Sequence, residues 1–176
     1  MKRWLVRVKI LSNIIYPKMH FSLEWRINLR ISAKSRYALA ATIHMAGSGN
    51  KNEYITLISI SEKLDISKIY LEQVFSLLKR GGIVNSIKGS QGGYQLAKDT
   101  KNITAYDILS SVETSLFEHT EETIKEKAPE IEAAVREALY EPLDGVVKAM
   151  LQKVTLYDLV SETEKHKSDH NLMFFI

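Results

Sequence analysis

Between residues 56 and 96 the chain reads TLISISEKLDISKIYLEQVFSLLKRGGIVNSIKGSQGGYQL, and its apolar spacing switches from helical to alternating at Gly81-Gly82. Ile58, Ile60 and Leu64 mark a first short helix. Leu71, Val74, Phe75 and Leu78 mark a second, at the i, i+3, i+4, i+7 spacing of one helix face. Asp65-Ile66-Ser67 lies between them, and Ser67 is placed to cap the second helix by accepting from a first-turn N–H. Glycine at 81 and 82 ends that helix, because positive φ costs glycine little. Ile83 to Ile87 then alternates as a strand, Lys88-Gly89-Ser90-Gln91-Gly92-Gly93 forms a tip, and Tyr94-Gln95-Leu96 returns. The expected fold is mainly α with a small antiparallel wing: a winged helix-turn-helix head, followed by a long C-terminal helix.

With Leu71, Val74, Phe75 and Leu78 turned inward, the helical repeat sends Ile69, Gln73, Ser76 and Arg80 outward, with Glu72 beside them. Near the helix start, Ser67, Lys68, Tyr70, Glu72 and Gln73 supply what a major groove can be read with. Glutamine pairs with adenine edges, and glutamate accepts from the cytosine amino group. An ordinary solvated face is the alternative. The wing adds Lys88 for a phosphate or the minor groove, and Gly89, Ser90, Gln91, Gly92, Gly93 and Tyr94 as a tip that can approach a sugar-phosphate strand. A nucleotide-binding loop is a poor match, since the spacing is not G-x-x-x-x-G-K-[ST] and no helix follows.

Charge separates along the chain. Residues 1–30 carry 7 Lys and Arg against 1 Asp or Glu, residues 31–101 carry 10 against 5, and residues 102–176 carry 7 against 15, so the local balances of +6, +5 and −8 sum to the net +3. The front of the chain suits a polyanion, and the back would be repelled by one. An apolar fraction of 45% over 176 residues allows one globular domain or a small domain with an appendage. There are no cysteines, which rules out disulfides and thiol switches and fits a reducing cytoplasm.

Residues 1–28 alternate basic and apolar residues, interrupted by Arg7 and Lys9, and match neither a signal peptide nor a membrane span. They read as a basic arm along DNA or an amphipathic surface strip. The run SAKSRYALAATIHMAG over 32–47 predicts a helix whose Lys34, Ser35 and Arg36 can touch phosphates and whose Tyr37 packs or donates to one. His44 reads as structural, with no ligand partner at helical spacing. Residues 55–57 suggest a short strand beside the wing. Residues 102–113 suggest a helix with Ile103, Ile108, Leu109 and Val112 inward.

In residues 114–130, Glu118, His119, Glu121 and Glu122 can be drawn as a metal site, but a charged solvated loop is the simpler reading, so no metal and no cofactor is assigned. From Ile131 a helical pattern runs through Val135, Leu139, Leu143, Val146, Val147, Met150, Leu151 and Val154. Pro142 either starts a second helix or kinks one long one. So broad an apolar face must pack on a partner. Thr155 to Glu164 reads as a short helix, and the chain closes on a charged stretch and Leu-Met-Phe-Phe-Ile.

The runs Ile31-Ser-Ala-Lys-Ser-Arg-Tyr-Ala-Leu-Ala40, Ile66-Ser67, Tyr70-Leu-Glu-Gln73 and Lys88-Gly-Ser-Gln-Gly-Gly-Tyr-Gln-Leu96 resemble the Rrf-two family of bacterial winged-helix transcription regulators. The likeness covers residues 30–113 closely and Val154 to Val160 more loosely. It implies a DNA-binding domain over 29–113, a sensor-type loop at 114–130, and a dimerisation helix and tail over 131–176. It implies a homodimeric repressor on a palindromic DNA operator, with base reading by Glu72 and Gln73 and phosphate contacts from Lys34, Arg36, Lys68, Lys79, Arg80 and Lys88.

Lys88 stands where the family usually carries arginine and lacks its rigid fork. Ser90-Gln91 replaces a more usual proline-glycine. Cluster-bearing members hold iron with cysteine thiolates, which this chain cannot supply. Because the family usually starts with Met before a basic residue and Ile-Ser, the native chain is expected to begin at position 29. Cysteine-metabolism members end on an aromatic-isoleucine pair and act with cysteine synthase, which makes the tail a possible protein-partner site. The rival is a winged-helix protein-interaction module; no arrangement of an enzyme stands out.

Overall fold

The computed structural model describes residues 31–48, 54–89, 92–113 and 127–172, with side chains as far as 168. The N-terminal extension, wing residues Ser90 and Gln91, the loop holding Glu118, His119, Glu121 and Glu122, and the last four residues lie outside the described residues. No described helix is long and apolar enough to cross a membrane.

Helix α1 spans Ala33–Gly47 and starts at Ser32, whose hydroxyl accepts from the Ser35 N–H at 3.2 Å. Its inward residues Ala38, Ala41, Met45 and Thr42 are buried. Thr42 satisfies its hydroxyl inside the helix by donating to the Ala38 carbonyl at 2.9 Å. Helix α2, Leu57–Leu64, is capped by Thr56 in the same manner, at 3.2 Å from the Ser59 N–H. It stops at Asp65, which takes the left-handed conformation at φ 51 that a short polar side chain tolerates.

Helix α3 covers Lys68–Arg80, with Leu71, Val74, Phe75 and Leu78 wholly buried. Ser67 precedes it but forms no side-chain cap, contrary to the sequence expectation. The turn is held instead from α2: the Ile66 N–H donates to the Ser61 carbonyl at 3.2 Å, and the Ser61 hydroxyl donates to the Ile66 carbonyl at 2.6 Å. At the other end the Gly82 N–H reaches the Lys79 carbonyl at 3.1 Å and the Ile83 N–H reaches the Leu78 carbonyl at 2.9 Å. This paired closure needs a left-handed residue, and Gly82 supplies it at φ 69. Gly81 serves a different purpose. Its backbone is right-handed helical, and a Cβ there would run into the Ser111 side chain.

Strands β1, Val84–Ile87, and β2, Gly93–Leu96, pair antiparallel from Val84 opposite Leu96 to Ile87 opposite Gly93. The strand expected over 55–57 shrinks to Ile55, which exchanges both bonds with Tyr94 at 2.8 and 2.9 Å. Thr56 is already occupied as the cap of α2. This third backbone comes so close that a Cβ on Gly93 would lie 2.7 Å from the Ile55 carbonyl oxygen.

After a short 3-10 turn at Thr100–Asn102, helix α4 runs over Ala105–Val112, three residues later than expected. Ile103 is buried as foreseen, but as extended chain. The segments Ile103-Thr-Ala-Tyr-Asp107 and Val154-Thr-Leu-Tyr-Asp158 are local copies, a repeat the apolar periodicity did not reveal. They lie antiparallel: the Ala105 N–H donates to the Val154 carbonyl and the Leu156 N–H to the Ile103 carbonyl, both at 2.8 Å. In each, threonine and the aspartate three residues on cap one another, at 2.9 and 3.1 Å in both copies. Thus the start of α7, Leu156–Leu172, is stitched to the start of α4, and Leu156 is wholly buried. Helix α7 outruns its expected end near Glu164, supported by Lys165 and Lys167 reaching Glu162 and Glu164 at 2.9 and 2.6 Å.

Between them runs one uninterrupted helical segment, α5 at Pro129–Val135 and α6 at Glu141–Lys153, joined by a wider turn over Arg136–Tyr140. There the Glu141 N–H reaches back five residues to the Arg136 carbonyl. Pro142, with no N–H to give the ladder, follows directly, so the proline is absorbed by a π turn without breaking the helix. One flank of α6 meets α4, with the Lys148 ammonium 5.5 Å from the Tyr106 ring centre. Ile131, Leu139, Leu143, Val146 and Met150 face away, Val146 with 68% of its surface exposed.

Gly81→Ala forces α3 off Ser111. Its expected cost is about 1–3 kcal/mol, the usual range for overpacking. Urea unfolding measures it, whereas Gly145→Ala, at a glycine with nothing within 4 Å of an added Cβ, should be neutral or stabilising.

Candidate nucleic-acid interface

The buried stripe of α3 decides what its other face offers. Lys68, Ile69, Glu72, Gln73, Ser76, Lys79 and Arg80 are all exposed, as is Ser67 just ahead of them. Lys68 and Glu72 stand 3.7 Å apart, one turn from each other, with both side chains about half exposed. Such a pair is worth a few tenths of a kcal/mol at most, so either partner can exchange it for a phosphate or a base edge. Gln73 has no ionic tie. Tyr70 is half-buried, its ring edge-on to Tyr37 at 5.3 Å and 89°, and this contact joins α3 to α1.

On α1, Arg36 is exposed and Lys34 half-buried. Ser35, read from the sequence as a phosphate contact beside them, is wholly buried, and its hydroxyl donates to the Glu113 carboxylate at 2.7 Å. That correction has a clear cause. The end of α4 delivers a carboxylate to the start of α1, where the helix dipole and free N–H groups favour an anion. Hydrogen bonds from Ser32 and Ser35, assisted by the Lys34 charge, hold the Glu113 carboxyl below its ordinary range against the opposing pull of desolvation. The anion site at this helix start is therefore already filled from within the chain. Of the three residues, Arg36 reaches solvent freely, and Lys34 is half-buried with its charge acting on Glu113.

The wing is fixed to α3 by the Tyr94 ring, which lies 4.7 Å from Phe75 at a 59° tilt. Tyr94, Gly92 and Gly93 are half-buried, while Lys88 and Gly89 stand exposed at the wing end. Gly89 adopts φ 119, and its carbonyl accepts from the Gly92 N–H at 2.9 Å. A Cβ on Gly92 would lie 2.6 Å from the Ile87 carbonyl oxygen. The tip's backbone thus demands glycine for its own closure, whatever else approaches it.

His44 is half-buried on α1; burial first, then the Lys63 and Lys167 charges, hold its imidazole below the ordinary range. Among the described residues no three His, Asp or Glu side chains stand together as a metal site. Sequence reasoning put Ile69 on the outward face and assigned it no role, yet 70% of its surface is exposed. An apolar residue at an outward position of α3 was the available signal.

Comparison with known proteins agrees with this geometry. Residues 31–162 match the Rrf2 family, described as an iron-dependent transcriptional regulator. The chain is 33% identical over 136 residues to the HTH-type transcriptional regulator IscR of Escherichia coli, spanning 77% of this chain and 83% of that one. Its structure resembles that of CymR, the global cysteine regulator of B. subtilis, with a TM-score of 0.62 and 35% identity over 76% of this chain and 98% of that one. The T. potens IscR structure is also similar, with a TM-score of 0.60 and 28% identity over 79% of this chain and 91% of the other.

A carboxyl with a depressed folded-state pKa stabilises fully above its unfolded pKa and loses that contribution as pH falls through the lower folded value. The denaturation-midpoint gap between the wild type and Ser35→Ala should therefore be widest at neutrality and narrow as acid protonates the Glu113 carboxylate. A constant gap would mean that Ser35 does not act through the Glu113 charge.

Proposed function

This chain belongs to the Rrf2 family of transcriptional regulators, and from that premise we propose that it is a sequence-specific DNA-binding repressor working as a homodimer on a palindromic operator. The observation that carries the proposal is the two-sidedness of α3. One side is buried and clamps the wing through Phe75 and Tyr94, and the other presents Glu72 and Gln73 in solvent. Gln73 then reads an adenine edge and Glu72 a cytosine amino group. Ser67, Lys68 and Tyr70 flank them, Lys34, Arg36, Lys79 and Arg80 meet phosphates, and the tip of Lys88, Gly89, Ser90, Gln91, Gly92, Gly93 and Tyr94 lies along the neighbouring backbone or minor groove.

The exposed stripe of Ile131, Leu139, Leu143, Val146 and Met150 supports the dimer. An uncovered apolar helix face of this length is costly in water, and a second copy covers it with twofold symmetry. Two heads so related would meet half-sites about one helical turn, 34 Å, apart. The family description names iron, but a cysteine-held iron–sulfur cluster does not fit this chain's donors. It has no cysteine to hold a cluster, and the reading here is of a regulator that responds to something else.

Three variants test this on a duplex selected by the purified protein. Gln73→Ala should cost about 1–3 kcal/mol and relax one base position, while Lys88→Ala should weaken all sequences alike and flatten the salt slope by about 1. Val146→Glu should yield monomers by sedimentation that no longer distinguish a palindrome from a half-site. Binding that is insensitive to salt and sequence would overturn the DNA-reading proposal.

A further inference from the structure

Every other apolar side chain in the first two turns of α3 is at least partly covered by the fold, but Ile69 is 70% exposed, flanked by the exposed Lys68, Glu72 and Gln73. We infer that Ile69 is a specificity residue that reads the C5-methyl group of a thymine in the major groove. This rests on the DNA-reading proposal above and goes further, because it assigns a base preference to a side chain with no hydrogen-bonding group.

The chemistry leaves little choice of target. The floor of the major groove presents donors and acceptors at each base pair, and one apolar group, the thymine methyl. Ile69 stands in the first turn of the helix, the part that meets base edges in helix-turn-helix docking. It lies one turn before Gln73, so their Cβ atoms are about 5–6 Å apart on the same face. That separation spans between one and two base-pair steps of about 3.4 Å. With Gln73 on an adenine, Ile69 falls over an adjacent or next-but-one pair, and the two together select an A·T-containing step. A β-branched side chain in a helix holds one dominant rotamer, so it loses little freedom when the methyl closes on it.

The test uses the full-length protein and the duplex it selects, with each thymine replaced in turn by deoxyuridine, which lacks only the methyl. Fluorescence anisotropy reads the affinity. For the wild type, replacement at one thymine per half-site should weaken binding about four-fold, the value of one methyl group's burial. Ile69→Ala should bind both duplexes alike while keeping the wild-type salt slope and unfolding midpoint, and Ile69→Val should retain part of the sensitivity. The inference is overturned if the wild type is indifferent to every replacement, or if Ile69→Ala keeps the same sensitivity. Either result leaves DNA reading by Gln73 standing, whereas failure to select any duplex removes both.

Discussion

The complete burial of Leu71, Val74, Phe75 and Leu78 is the constraint on which the molecule depends. Each such side chain contributes about 1.5–3 kcal/mol by leaving water, so rotating α3 about its axis would forfeit most of the stability of a domain this small. The outward direction of Glu72, Gln73 and Ile69 is thereby enforced by packing, with no interaction needed on the exposed side. Phe75 extends the same constraint to the wing, because the Tyr94 ring rests on it. Helix and wing consequently share one hydrophobic anchor.

The glycines make a related point. Gly81, Gly92 and Gly93 all lie where a Cβ would strike another part of the chain, and of the described glycines only Gly82 and Gly89 use positive φ. The glycine-rich stretch thus serves chiefly to let parts of the chain crowd together: α3 against α4 at Gly81, the hairpin tip on itself at Gly92, and Ile55 against the hairpin at Gly93. The pattern alone suggested room for a sugar-phosphate strand, and exposure is left to the end near Lys88 and Gly89. Ser35 teaches the same lesson. Its place between Lys34 and Arg36 suggested a phosphate contact, yet Glu113, far along the chain, takes the hydroxyl.

Within the acidic back part, the structure ties the start of α7 to the last helix of the head through a small device, the antiparallel bridge between Thr104 and Thr155. It joins the start of α7 to the start of α4 using two threonine-aspartate caps, so satisfied helix ends double as a tertiary joint. Pro142 meanwhile is accommodated by a π turn, which keeps the long helix continuous and its apolar stripe aligned.

Alanine content and a closing glycine were enough to read α1, and local periodicity the α2–α3 pair, the hairpin and the apolar stripe of the long helix, because an apolar face repeats at 3.6 or 2 residues whatever surrounds it. The same periodicity placed Glu72 and Gln73 outward. It could not tell that Ser67 leaves its helix uncapped, that Ser35 is sequestered by Glu113, or that Gly81 answers to Ser111, since each depends on a group brought close by folding. Those contacts join residues that are remote or sit across a turn, and a one-dimensional pattern carries no distance between them. Helix faces therefore belonged to the sequence, and the allocation of individual polar groups to ligand or to core belonged to the tertiary structure.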